Sequence, residues 1–244
     1  MDEGEALEAG GFRALPDGSL ALRYPGVCLH LAFPAGYPAR PTHPWDPALP
    51  HPTWTHPDTE GPRHRFGGSA TGTCRLCGGG YHHLLTLSPI PAGLGVTDLP
   101  RLELSACLSC LGFEGDDPLL RYRHRPDGSP AELAPPLAPS LLPEFPAPAL
   151  LPTMVGLRDL GPRWRRQAAL SRENLHRLGG HPSWVQSPQY PPCALCGEDS
   201  AFLLQLDSNL PLPGGGEWYW GSGGMAYVFW CDRCRVSTYL WQCT

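Results

Sequence analysis

The feature that most constrains this 244-residue chain is a set of four Cys-x-x-Cys pairs, which account for eight of its ten cysteines. The pairs are Cys74/Cys77, Cys107/Cys110, Cys193/Cys196 and Cys231/Cys234. A two-residue gap lets both thiolates point at one ion, and we expect reduced thiols because the sequence shows no secretion signal. The pattern predicts two closed four-thiolate sites, each with a structural Zn²⁺. Redox dithiols are the alternative, but they typically need a βαβ context that the flanking residues lack.

The two halves of the chain repeat the same cysteine spacing. Cys74-Arg-Leu-Cys77-Gly78 corresponds to Cys193-Ala-Leu-Cys196-Gly197, and a leucine-rich segment begins seven residues after the second cysteine of each. Each half then passes through residues rich in Pro and Gly and closes with its second cysteine pair. We interpret this as an internal duplication in which each copy resembles a zinc ribbon, with two metal-binding knuckles joined by antiparallel strands.

Two proline-rich tracts suggest the domain boundaries. Residues 34–62 and 126–152 contain nine prolines each, and a segment without so many backbone N–H donors cannot form a helix or a central strand. We therefore predict an N-terminal repeat over 1–125 with a Pro-rich loop at 34–62, a linker over 126–160, and a C-terminal repeat over 161–244.

The predicted fold class is α+β and dominated by β-structure, with two duplicated zinc-ribbon-containing repeats and one main helix. The helix is predicted over 163–178, which contains neither Pro nor Gly and is followed by Gly179-Gly180. Trp164, Ala168, Leu175 and Leu178 recur at helical spacing and would form its buried face.

Charge gives little support to nucleic-acid binding. The net charge is -5, and the four thiolates of each zinc site would make it more negative. The arginines that could serve RNA as an alternative function occur in two groups: Arg121, Arg123 and Arg125, and Arg163, Arg165 and Arg166. The first group alternates along a predicted strand, which would put all three side chains on one face.

The sequence predicts a non-enzymatic, cytoplasmic protein. We find no nucleophile with a base, no paired carboxylates, and no lysine to hold a phosphate in the Gly-rich segments. The first residues are acidic rather than basic, and no run approaches eighteen apolar residues, so neither a targeting peptide nor a membrane span is expected. Arginine replaces lysine throughout, which indicates a GC-rich, bacterial genome.

The C-terminal part of the chain resembles a known family over residues 174–244. The motifs are His176-Arg-Leu-Gly-Gly-His-Pro-Ser-Trp-Val-Gln186, Phe202-Leu-Leu-Gln-Leu-Asp207, Trp220-Gly-Ser-Gly-Gly-Met-Ala-Tyr-Val-Phe-Trp-Cys231 and Leu240-Trp-Gln242. They resemble the bacterial YwqG-like family, which is similar to programmed cell death protein 2 and its relatives. Those relatives have duplicated zinc-containing domains that chaperone a small-subunit ribosomal protein.

The resemblance implies a protein-binding module, either a chaperone-like adaptor with a ribosomal or other client or an immunity protein against a toxin. The first half departs from the pattern, since it lacks the Leu-Gly-Gly-x-Pro-x-Trp-x-Gln motif. The residues that we consider for partner binding are Trp184, Gln186, Gln205, Asp207, Trp218, Tyr219 and Trp220. Their aromatic members serve equally well as binding anchors or as core, and the sequence leaves both readings open.

Overall fold

The computed structural model describes residues 12–14, 20–23, 26–34, 37, 61–111, 119–133, 146–159, 164–166 and 176–243. All elements in these ranges are strands. They are β1 (Phe12–Ala14), β2 (Leu20–Arg23), β3 (Cys28–Ala32), β4 (His64–Phe66), β5 (Ser69–Thr73), β6 (Gly80–Leu87), β7 (Leu102–Ala106), β8 (Leu120–His124), β9 (Pro130–Glu132), β10 (Thr153–Asp159), β11 (Trp164–Arg166), β12 (Arg177–Gly179), β13 (Ala201–Asp207), β14 (Leu210–Pro211), β15 (Glu217–Trp218), β16 (Met225–Cys231) and β17 (Val236–Gln242).

The prediction of one main helix, and with it the α+β class, is wrong for the described residues. The start of the predicted helix is β11, which pairs with β2, and its end is β12, which lies between β3 and β13. Residues 163 and 167–175 lie outside the described residues. Helical propensity is a weak preference, and pairing on both edges of β12 together with complete burial of Leu178 outweighs it. The β-dominated part of the prediction agrees with the structure.

Twelve strands form one curled, antiparallel sheet. Strands β5 and β4 both pair with the same edge of β6. From β4 the sheet continues in the order β10, β3, β12, β13, β16, β17, β8 and β9. Strand β7 pairs with the other edge of β6. Two small sheets, β1-β2-β11 and β14-β15, complete the described structure. The described part contains no helix long and apolar enough to cross a membrane.

Both halves share one irregularity of strand register. Strand β6 pairs with β7, and β13 pairs with β16, and each pairing shifts across a single residue, Leu84 in the first and Leu203 in the second. Each of these leucines lies seven residues after the second cysteine of the preceding pair. A β-bulge inserts one residue and bends its strand. Matched bulges are what an internal duplication would produce.

The two halves nevertheless contribute to one sheet. Strands β16 and β17 form a hairpin around Cys231 and Cys234. Strand β8 follows the corresponding first-half pair, Cys107 and Cys110, yet it pairs with β17 rather than with β7. One hydrophobic cluster therefore contains first-half residues such as Leu104 together with second-half residues.

The first-half strand β7 also approaches the far end of the sheet. The amide of Glu103 donates a 3.0 Å hydrogen bond to the carbonyl of Gly128, in the turn between β8 and β9. The amide of Cys107 donates to the Tyr122 hydroxyl at 3.2 Å. These contacts bring the first metal-binding region against β8 and curl the sheet.

The close approach at Gly128 gives a testable prediction. A Cβ at this position would overlap the carbonyl oxygen of Arg101 and lie 2.8 Å from the carbonyl carbon of Arg101. The φ of +82° is also unfavourable for any residue with a side chain. Gly95 has a similar φ of +70° and no atom within 4 Å of an added Cβ. We expect Gly128→Ala to lower the free energy of unfolding by about 3 kcal/mol and Gly95→Ala by about 1 kcal/mol. Equal losses in denaturant titrations would contradict this.

Candidate metal centres

The first-half cysteines form one compact cluster. The Sγ atoms of Cys74, Cys77, Cys107 and Cys110 all lie within 4.8 Å of one another. The Sγ–Sγ distance is 3.8 Å between Cys74 and Cys110 and 3.6 Å between Cys77 and Cys107. A disulfide needs about 2.05 Å, whereas a tetrahedron of thiolates at Zn–S bonds of about 2.3 Å has edges of about 3.8 Å. The spacing fits a tetrahedral metal site.

The second-half cysteines form an equivalent cluster. The Sγ atoms of Cys193, Cys196, Cys231 and Cys234 also lie within 4.8 Å of one another. Cys196 and Cys231 are 3.7 Å apart, again the edge length of a tetrahedral sulfur site. The eight predicted ligands are therefore brought together in the two groups that the sequence predicts. Each group can hold one metal ion.

The first pair of each cluster is held by the same tight turn. The amide of Gly78 donates to the carbonyl of Cys74 at 2.8 Å, and that of Gly197 donates to Cys193 at 2.9 Å. The two glycines have φ values of +72° and +74°, a region that residues with a side chain rarely adopt. The shared glycine after each Cys-x-x-Cys is thus explained by the turn.

Backbone amides also point at the sulfur atoms. The amide of Leu76 donates to the Sγ of Cys74 at 3.4 Å, and that of Leu195 donates to the Sγ of Cys193 at 3.5 Å. Donors aimed at a sulfur favour its thiolate form, which is the form that binds metal. Both knuckles are therefore arranged for thiolates before any ion is considered.

The crowded sulfurs give the first cluster uneven acidities. Hydrogen bonds from Cys110 and then Cys74 lower the pKa of Cys107 to about 4. The same hydrogen bonds, first with Cys107, raise the pKa of Cys110 above its ordinary value. Four thiolates this close repel one another unless a cation lies between them.

The cysteines of the second cluster also have unequal pKa values. Burial raises the pKa of Cys231 to about 12. Burial also opposes ionisation of Cys193, but the amides of Leu195 and Cys196 outweigh it and lower the pKa of that thiol to about 7. A divalent cation would allow all four thiols to ionise, so the donor set fits a metal such as Zn²⁺.

The remaining two cysteines lie outside both clusters. Cys28 is buried with its sulfur 3.7 Å from Nε2 of His30, and Cys243 is partly buried at the end of the described chain. Neither has the spacing of a third metal site. These two thiols provide natural controls for substitutions in the clusters.

A buried polar row crosses the middle of the sheet. It is formed by residues that lie opposite one another on four neighbouring strands: His30, Arg177, Gln205 and Tyr227. All four are 0% exposed. Buried polar side chains are nearly always hydrogen-bonded, which raises the question of what these four residues bind.

The row supports the segment that carries the Leu-Gly-Gly-x-Pro-x-Trp-x-Gln motif. The Gln205 side-chain oxygen accepts from the amide of Ser183 at 2.8 Å, and Arg177 donates to the Ser183 hydroxyl at 2.9 Å. The Tyr227 hydroxyl donates to the Ser183 carbonyl and accepts from the amide of Val185. The buried polar row therefore holds the motif segment against the sheet and satisfies part of its backbone.

The residues considered for partner binding range from fully buried to exposed. Gln205 lies beneath the motif segment, and Trp220 is 1% exposed with its Nε1 donating to the carbonyl of Asp207. Trp184 packs on Tyr227 and Phe229, and Trp218 packs on Trp220. The accessible members are Tyr219, at 38% exposure, and Gln186, whose side chain donates to the carbonyl of Cys243.

Asp207 is a partly buried carboxylate within this region. Its side chain accepts a hydrogen bond from the amide of Ser208 at 2.8 Å and interacts with the positive charge of Arg177, and both interactions lower its pKa. Burial outweighs both effects and raises the pKa of Asp207 to about 7.

The raised pKa predicts a stability difference near neutral pH. A carboxylate that holds its proton more tightly in the folded state contributes stability at low pH, and this is lost as the pH rises through about 7. Asparagine at position 207 does not titrate. When the pH rises from 6 to 8, the free energy of unfolding should therefore fall by about 1 kcal/mol more in the wild type than in Asp207→Asn. The exposed control Asp199→Asn should follow the wild type, and parallel curves for the wild type and Asp207→Asn would refute the assignment.

The arginines considered for RNA binding lie in different parts of the structure. On β8, Leu120, Tyr122 and His124 are buried, so Arg121 and Arg123 lie on the opposite face of the strand. Arg125 is exposed just beyond the strand end. Arg165 and Arg166 belong to β11, and Arg163 lies outside the described residues.

The structure adds two arginines that the sequence reasoning missed. Arg233 and Arg235 flank Cys234, and they line one cavity together with Arg123 and Arg125. The pairing of β8 with β17 causes this convergence. Arginines within and beside a cysteine pair were the available signal, but the sequence does not reveal which strand lies beside them.

Comparison with known proteins gives one local likeness. No family model and no solved structure matches the chain. A 68-residue stretch is 38% identical to uncharacterized protein YpfL of Salmonella typhimurium (strain LT2). The stretch covers 28% of this chain and 15% of that protein, so the chain spans only a small part of this relative's length.

Proposed function

We propose that this protein is a non-enzymatic protein-binding module stabilised by two structural zinc ions, acting in the cytoplasm as a chaperone-like adaptor or as a toxin-immunity protein. The observation that carries the proposal is the pair of four-sulfur clusters within one shared sheet. Four sulfur ligands complete a tetrahedral shell and leave no position for a substrate or a water. The ions would thus hold the fold, and function would lie at the surface.

Zinc is the proposed metal because of the donor set. Soft thiolates in a tetrahedron favour Zn²⁺, although iron shares this preference. The residues would supply four thiolates per ion, and the ion would supply the positive charge that lets all four ionise. Metal analysis of the purified protein should give two zinc ions per chain; iron instead of zinc would overturn this part of the proposal.

The protein-binding role draws on the resemblance to the YwqG-like family and on the accessible residues of the C-terminal half. Tyr219 is held by a network in which Asn209 donates to its hydroxyl and to Glu217, each at 2.7 Å. An aromatic side chain fixed in this way loses little entropy on binding. It is our first candidate for a contact with the partner.

Affinity capture from the native cells tests the proposal. The tagged, zinc-loaded protein is captured with nuclease treatment and at high salt, and the eluted proteins are identified and quantified. We expect one stoichiometric protein that survives both treatments and is reduced by Tyr219→Ala, with the exposed Met154→Ala as the matched control. A toxin would indicate immunity and a ribosomal or other folding client would indicate chaperoning, whereas material lost with nuclease would favour RNA binding and overturn the proposal.

A further inference from the structure

A cavity of about 480 Å³ lies beside the second metal cluster and is lined by four arginines. They are Arg123, Arg125, Arg233 and Arg235, with Cys234 and Ala131 among the other lining residues. The volume falls in the usual range for ligand pockets, about 300–1,000 Å³. Four positively charged side chains around one concave surface attract anions to it.

The strand pairing holds these arginines in place. Arg123 lies opposite Val236 in the pairing of β8 with β17, and the amide of His124 donates to the carbonyl of Arg235 at 2.7 Å. Arg125 is oriented by hydrogen bonds from its guanidinium to the Ser129 hydroxyl and the Pro130 carbonyl. The positive charges are therefore carried by a fixed backbone.

The acidic side chains near the cavity lie outside its lining. None of the described residues that line it is acidic. Asp232, next to Arg233, is turned toward Thr97, whose amide donates to it at 2.8 Å, and toward Trp230, whose Nε1 donates at 3.0 Å. Asp127 acts on Arg125 and Asp232 acts on Arg235, but neither carboxylate is part of the lining, so the cavity wall itself presents its arginines.

The geometry favours carboxylates on an extended chain over nucleic acid. Arg123 lies on β8 and Arg125 just beyond its end, so the two arginines can contact separate carboxylates of one extended chain, whose alternate side chains lie about 6.6 Å apart. Arginine pairs carboxylates in a bidentate manner. Single-stranded RNA also needs aromatic platforms for its bases, and the described lining contains no Trp, Tyr or Phe.

We propose that this cavity binds an acidic segment, rich in Asp or Glu, of the protein partner. The inference rests on the proposed protein-binding function and specifies the chemistry of the partner. The second metal ion would then have a further effect, because it fixes the turn that presents Arg233 and Arg235.

Peptide binding to the zinc-loaded full chain tests this inference. The probe is a fluorescein-labelled octaglutamate peptide, followed by anisotropy, with octaglutamine as its neutral counterpart. We expect octaglutamate to bind, octaglutamine not to bind, and Arg123→Gln/Arg125→Gln to weaken octaglutamate binding at least tenfold. Neither residue belongs to a cysteine knuckle, so metal content should be unchanged. The matched control is Arg65→Gln, an exposed arginine on β4 whose guanidinium donates to the carbonyl of Ser69.

Three results would overturn the inference. They are unchanged binding by the double variant, equal weakening by Arg65→Gln, or tighter arginine-dependent binding of an oligouridine or of inorganic phosphate. Repeating the affinity capture with the double variant separates this inference from the proposed function. A stoichiometric partner that the variant retains refutes the acidic-segment site alone, whereas arginine-dependent peptide binding without any captured protein refutes the proposed function.

Discussion

Cys231→Ser is expected to reduce the bound metal from two ions per chain to one and to lower the free energy of unfolding by about 4 kcal/mol or more. Serine cannot replace a thiolate in a four-sulfur site, and metal binding to such a site is coupled to folding. Cys231 also ends β16, in the middle of the second-half sheet. The loss of the ion should therefore reach the pairing of β16 with β17.

Cys243→Ser is the matched control, because Cys243 lies close in sequence and outside both clusters. It should keep two ions and change stability by about 0.5 kcal/mol or less. Metal analysis and denaturant titration of both variants measure the difference. Similar metal content and similar stability in the two variants would refute the assignment of Cys231 as a ligand.

Chelation should act on both halves together. The hydrophobic cluster and the sheet combine strands from each half, so removal of the ions should produce one cooperative loss of β-structure. Circular dichroism during titration with a chelator reports this. Two well-separated transitions would show that the halves unfold independently.

The second large effect is expected at Arg177, which is 0% exposed at the centre of the buried polar row. Arg177→Leu should lower the free energy of unfolding by about 3–5 kcal/mol, because it removes the donor to Ser183 and leaves Asp207 without its nearby positive charge. The motif segment would lose part of its support. Chemical denaturation measures the loss.

Arg158 offers a matched control for this substitution. It lies opposite His30 on β10, as Arg177 does on β12, but its side chain is only partly buried. Arg158→Leu should cost about 0.5 kcal/mol or less. Equal losses for Arg158→Leu and Arg177→Leu would show that the buried hydrogen bonds do not account for the effect.

The metal ligands could be predicted because their chemistry is local. A Cys-x-x-Cys pair needs only a tight turn, and the glycine that follows Cys77 and Cys196 supplies it. The grouping of pairs within each half also followed from the repeated spacing. Here the sequence pattern and the geometry contain the same information.

The helix could not be rejected from the sequence, because the decisive contacts are distant. Residues 163–178 have helical composition, but Arg177 and Leu178 pair with β3 from the beginning of the chain. The same limitation applies to the arginine cavity, where Arg123 meets Arg235 through a pairing between residues more than a hundred positions apart. Propensity describes neighbours in sequence, whereas these features depend on which strands become neighbours in space.

Gln205 shows a third limitation. A polar residue in the middle of an apolar strand resembles a ligand-binding group, yet this one is 0% exposed and accepts the amide of Ser183. The sequence reveals that Gln205 differs from its neighbours. It does not reveal that the group it binds belongs to the same chain.

The pairing of β8 with β17 has a consequence for how this chain can change over time. Loss of the first half would remove β8 and leave β17 with an exposed edge, while loss of the second half would leave β8 with no strand to join. Neither half can be discarded without damaging what remains. Selection for the stability of one half therefore also preserves the other, even where only one of them contacts the partner.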